Sequence, residues 1–83
     1  MTDIKFKELD YEKYIKMREW CQIQFGHGAM WREQLTNNNS IVRWYSNSNR
    51  KVELINFGTN VVNAHFIFKD EKDATVFALR WSS

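Results

Sequence analysis

Val61-Val62-Asn63-Ala64-His65-Phe66-Ile67-Phe68-Lys69-Asp70-Glu71-Lys72-Asp73-Ala74-Thr75-Val76-Phe77-Ala78-Leu79-Arg80-Trp81 changes its hydrophobic period once, at Lys69-Asp70, and that change decides the fold. Before it, Val62, Ala64, Phe66 and Phe68 alternate with Val61, Asn63, His65 and Ile67, as in a strand with one face on a core. After it, Ala74, Phe77, Ala78 and Trp81 follow the i, i+3, i+4, i+7 rule of a helix. Asp70 is placed to cap that helix, with Asp73 three residues on as a weak capping-box partner. Glu71 in the first turn and Arg80 near the end suit the helix dipole. Small Ala74 and Ala78 predict a close approach to a sheet, with Phe77 and Trp81 entering the core.

Working back toward the N-terminus, Val52, Leu54, Ile55 and Phe57 read as a strand, and Ile41-Val42-Arg43-Trp44-Tyr45 as another. Turns are expected at Asn37-Asn38-Asn39-Ser40, Ser46-Asn47-Ser48-Asn49 and Gly58-Thr59-Asn60. Ala29, Trp31, Glu33 and Leu35 alternate with Met30, Arg32 and Gln34, which predicts one more strand. Tyr11, Tyr14, Ile15, Met17, Trp20, Cys21 and Phe25 recur at helical spacing behind Asp10, a candidate N-cap. Gly26 and Gly28 supply the stop and a bend. Ile4-Lys5-Phe6-Lys7 signals a short first strand weakly. The expected fold is α+β in the order (β)-α-β-β-β-β-α. It is an antiparallel meander sheet of four to five strands with two helices on one face.

The 83 residues allow one domain, 1–83, with 43% hydrophobic and 27% charged residues, a globular balance. One Cys excludes an internal disulfide, and no run of about eighteen apolar residues offers a membrane span. The N-terminus lacks the apolar stretch of a secretory signal, so a cytoplasmic protein is expected. The net charge of +2 comes entirely from the central segment, where Arg32, Arg43, Arg50 and Lys51 oppose Glu33 and Glu53. That is a weak footprint for nucleic acid or an anionic membrane.

Catalytic and metal-binding patterns are sparse. Cys21 lies on the apolar side of its helix and reads as a small core residue. His27 sits between two glycines, and His65 alternates away from the aromatic face. Cys21, His27 and His65 match no zinc spacing. Asp70, Glu71 and Asp73 read as helix caps. No catalytic constellation, cofactor loop or metal motif emerges, so a non-enzymatic protein without cofactor is expected; an enzyme using His27 or His65 would need a carboxylate beside it in a pocket.

The stretch from Phe66 to Trp81 resembles the C-terminal tail of small uncharacterised proteins of tailed phages, especially marine T4-like ones, where an aromatic strand runs into a helix of the form Asp-Ala-x-x-Phe-x-Leu-Arg-Trp. The resemblance covers about a fifth of the chain and implies a phage-encoded protein acting in the host cytoplasm. It carries no activity and no site residues with it.

Apolar residues occur on both faces of the expected strands, more than two helices can cover. This predicts protein–protein binding or self-association through a sheet face, a symmetric dimer being simplest, with Trp44, Ile55, Phe57 and Ile67 as interface candidates. The alternative is a single-stranded nucleic-acid module using Trp31, Arg32, Arg43, Tyr45 and Arg50, where rings lie beside guanidinium groups.

Overall fold

The strand predicted over Val61–Phe68 forms, and it becomes the centre of the sheet. The computed structural model describes residues 1–37, 41–50 and 61–81. The described elements run β1 (Thr2–Asp10), α1 (Tyr11–Phe25), a 3₁₀ helix (Arg32–Thr36), β2 (Trp44–Arg50), β3 (Val61–Phe68) and α2 (Glu71–Trp81). The fold is α+β, with a three-stranded antiparallel sheet in the order β1-β3-β2 among the described residues.

One face of the sheet and both helices share a single core. Val62, Ala64, Phe66 and Phe68 of β3 meet Tyr14, Met17, Cys21 and Phe25 of α1 and Ala74 and Phe77 of α2. Both helices therefore lie on the same side of the sheet, as expected. The Phe77 ring sits 4.7 Å from that of Phe66 and 5.1 Å from that of Phe68. Phe66 is also ringed by Phe6, Tyr14 and Trp44, at 6.1, 5.6 and 6.4 Å. The polar ends of these aromatics find partners, as burial demands. Tyr14 shares a 2.8 Å hydrogen bond with Ser46, and Trp44 donates Nε1–H to the Gly26 carbonyl at 2.8 Å.

Capping follows the sequence in part. Asp10 accepts from the Glu12 amide at 3.0 Å, and Asp70 from the Lys72 amide at 2.9 Å. Asp73 does not complete a capping box. It is 5% exposed and takes a bidentate pair from Arg43, Nε to Oδ2 at 2.9 Å and Nη2 to Oδ1 at 2.6 Å. The Arg43 guanidinium also lies 5.1 Å from the centre of the Phe25 ring. This pair ties the entry to β2 onto α2.

Two readings are corrected. The strand expected over 29–35 is a connector ending in the 3₁₀ helix. Its backbone groups close locally instead of on a neighbour strand: Gln34 N–H bonds Trp31 O at 3.2 Å, and Met30 N–H bonds the Gln34 side chain at 2.6 Å. Ser46-Asn47-Ser48-Asn49 is not a turn but the body of β2, paired with Phe66, His65, Ala64 and Asn63. Turn propensity yields there to the ladder that β3 offers. The expected strand at Val52–Phe57, the turn at Gly58–Asn60 and residues 38–40 of the earlier turn lie outside the described residues. The meander of four to five strands is thus replaced, over the described chain, by three strands with the last one central.

Ile67 is buried without belonging to the helix-side core. Alternation sends this residue to the face opposite the helices, yet it is 1% exposed. It lies at the Trp44 end of the sheet, where Tyr45 and Asp3 flank it. The connector is pinned there by Ala29 N–H to Trp44 O at 2.7 Å and by Lys69 Nζ to Asn37 O at 3.2 Å. The 3₁₀ helix packs against β2, and its Leu35 is 2% exposed while standing apart from the main core. Ile67 and Leu35 are thus both buried outside the main core, at the end of the sheet that the connector meets.

Gly26 and Gly28 start the connector for different reasons. Gly26 closes α1 at φ 83°, in the left-handed region. Gly28 has Trp44 against it: a Cβ there would lie 2.9 Å from Cζ2 of that ring. Gly28→Ala is expected to lower stability by about 1–3 kcal/mol through overpacking. Gly26→Ala is expected to lose about 1–2 kcal/mol through backbone strain alone. Urea unfolding of Gly26→Ala, Gly28→Ala and a Gly28→Ala/Trp44→Phe double variant separates the two causes. Independence of Gly28→Ala from the residue at 44 would refute the close approach.

Candidate functional site

β1, β3 and β2 place two polar rows on the outer face of the sheet. Lys5, His65 and Asn47 are register partners in one row, and Asn63 and Asn49 in the next. The ladder shifts between Phe6 and Leu9, so that Lys7 and Glu8 both fall opposite Asn63. Glu8 takes φ 53° in this bulge. Between the rows lie Phe6, Ala64 and Ser48, whose side chains point toward the helices. Their backbone makes the floor of an open hollow of about 250 Å³, walled by Lys5, Lys7, Asn47, Asn49, Asn63 and His65.

The hydrogen bonds decide which polarity the hollow presents. Asn63 Oδ1 accepts from the Glu8 amide at 3.2 Å, and Asn47 Oδ1 accepts from the Ser48 amide at 2.8 Å. A side-chain oxygen facing an N–H leaves the NH₂ group to face elsewhere. The two asparagines therefore offer donors. Lys5 and Lys7 are exposed and make no ion pair among the described residues. His65 Nδ1 lies 3.5 Å from Asp3 Oδ1, and its ring meets the Tyr45 ring edge-on at 6.1 Å and 78°. The site is rich in donors and carries two ammonium groups, which suits an anion. Lys5 and Lys7 stand two residues apart on β1, about 7 Å by the rise of a strand.

The residues singled out from sequence scatter. Trp44 is stacked in the core and Ile67 is 1% exposed, so neither offers an exposed apolar surface. Ile55 and Phe57 lie outside the described residues, as does the side chain of Arg50. Arg43 is engaged by Asp73, which holds its guanidinium pKa above the ordinary value through the hydrogen bond. Trp31 and Arg32 are exposed on the connector, and Tyr45 is half-buried on the outer face beside the hollow. Of the four nucleic-acid candidates with described side chains, only Tyr45 borders it, through the His65 ring. Lys5, Lys7, Asn47, Asn49 and Asn63 were missed. Their signal was present as period-two polarity, in Lys5 and Lys7 of a strand read as weak and in Asn47 and Asn49 of a segment read as a turn.

Cys21, His27 and His65 do not meet. Cys21 is sealed in the core, His27 sits beyond the end of α1 with Nδ1 3.3 Å from Gln22 Nε2, and His65 is on the opposite side of the sheet. Among the described residues no group of three His, Cys, Asp or Glu side chains gathers to hold a metal. None of the described helices is long and apolar enough to cross a membrane. No family model matches the chain, and neither does any curated protein or solved structure.

Burial pushes the Cys21 thiol up to about 12. Thiolate is the reactive form, so the folded protein is expected to resist iodoacetamide at pH 8 and to react at once in urea. Rapid alkylation of the folded chain would show that α1 does not seal this residue.

Proposed function

We propose that this chain is a non-enzymatic binding module that holds an anionic chain molecule across the outer face of its sheet. The observation that carries the reading is the donor set of the hollow: two lysines without an ion pair among the described residues, with the NH₂ groups of Asn47 and Asn63, all carried on one sheet. Carrying the ligand on strands places the donors accurately. The His65–Asp3 pair beside the hollow is the histidine–carboxylate pairing that an enzyme would need, so catalysis is the rival of this binding reading. The resemblance of the C-terminal strand and helix to tailed-phage proteins supports a phage-encoded module working in the host cytoplasm.

The test uses inorganic polyphosphate at low salt, followed by amide NMR. Shifts are expected at residues 5, 7, 47, 63 and 65. Lys5→Ala/Lys7→Ala is expected to weaken binding at least tenfold and to flatten its salt dependence, since two contacts contribute a slope of roughly −1.4. Shifts confined to other surfaces would remove the reading.

A second reading rests on a different surface. Met30 and Trp31 on the connector and Ile41 ahead of β2 face solvent, 81%, 54% and 93% exposed. These apolar side chains support docking of a protein partner or of a second copy through a surface other than the sheet face expected from Trp44, Ile55, Phe57 and Ile67. Sedimentation at tens of micromolar is expected to show association that Trp31→Ser/Ile41→Ser abolishes. A monomer throughout would discard self-association.

A further inference from the structure

The hollow has an aromatic neighbour that a site for bare phosphate would not need. Along the outer face, Tyr45 stands one step from Asn47 on β2, in the row adjoining that of Lys5 and His65. Its ring is half-buried, and its contact with the His65 ring restrains it, edge-on at 78°. A restrained ring loses little freedom when a planar ligand settles on it. The ring thus lies on the same surface as the donor rows, about 7 Å along the strand from Asn47 and two strands, about 10 Å, across the sheet from the lysine edge.

We infer that the ligand of this site is single-stranded nucleic acid, crossing the sheet from β1 to β2 with a backbone phosphate seated between Lys5 and Lys7 and a base about two nucleotides further along stacked on Tyr45. This inference rests on the anion-binding reading of the same hollow and adds the class of ligand. Phosphate contacts carry no base information, and stacking accepts any base, so the site predicts binding with little sequence preference. A single strand is required because the base face that meets Tyr45 is covered in a duplex. The set of residues differs from the one suggested by Arg-aromatic neighbours in the sequence: Arg43 is committed to Asp73, and the lysines of β1 take its place.

Two ligands of matched charge separate this inference from the reading beneath it: an eight-nucleotide oligothymidylate and a polyphosphate chain. The wild-type protein is expected to bind the oligonucleotide about tenfold more tightly than polyphosphate. Tyr45→Ala is expected to erase that preference while leaving polyphosphate affinity unchanged, and Tyr45→Phe to retain it. Lys5→Ala/Lys7→Ala is expected to weaken both ligands. Equal affinity for the two ligands, unmoved by Tyr45→Ala, would overturn the nucleic-acid assignment and leave an anion site standing. Failure of the folded wild-type protein to bind either one would overturn both. Circular dichroism of each variant keeps a folding defect from passing as a binding defect.

Discussion

The contact between Phe66 and Phe77 holds this molecule together. Phe66 sits on the central strand and Phe77 on the last helix, with ring centres 4.7 Å apart. Every other element of the core reaches one of these two rings: Phe6 from β1, Tyr14 and Trp20 from α1, and Trp44 from β2. Tilted and edge-on pairs of this kind add to the large area that each ring buries. In so small a chain the core is little more than this cluster, so its geometry dictates where the helices lie. It also dictates which face of the sheet is spent on the core.

What remains for function follows from that commitment. Two helices cover one face, and the connector packs at the Trp44 end of β2. It is held by the Arg43–Asp73 pair, by Trp44 Nε1 on Gly26 O and by Lys69 on Asn37 O. Arg43 is partly exposed while Asp73 is not, so the pair mainly compensates a buried carboxylate, a role of specificity more than net stability. The uncovered part of the outer face is the part with polar side chains. Of the apolar residues that strand alternation puts in surplus, Trp44 enters the core and Ile67 is buried, while Ile41 stays exposed.

Much of this was legible along the chain because local signals and tertiary demands agree. The periods of Val61–Phe68 and Glu71–Trp81, the caps at Asp10 and Asp70 and the helical face from Tyr14 to Phe25 all agree with the structure. The reading broke where a local signal meets a stronger partner. Ser46 to Asn49 has turn composition, yet β3 gives its backbone a ladder and Tyr14 gives Ser46 a hydrogen bond. Trp31 and Leu35 alternate like strand residues, yet Gly28 beneath the Trp44 ring and the local bonds of Met30 and Gln34 send that segment into a connector. The Lys5 and Lys7 pair carried a signal too faint to rank above the arginines until β1 was set beside β3.

The sequence by itself determined the class of fold, the two helices, the strand Val61–Phe68 and the face that it buries, because periodicity and capping are properties of neighbouring residues. Only the tertiary structure decided that this last strand lies in the middle, that Asp73 holds Arg43, and that Lys5, His65 and Asn47 come from three strands to one row. Those outcomes depend on which strands pair and in what register, and pairing joins residues tens of positions apart whose meeting no local pattern encodes.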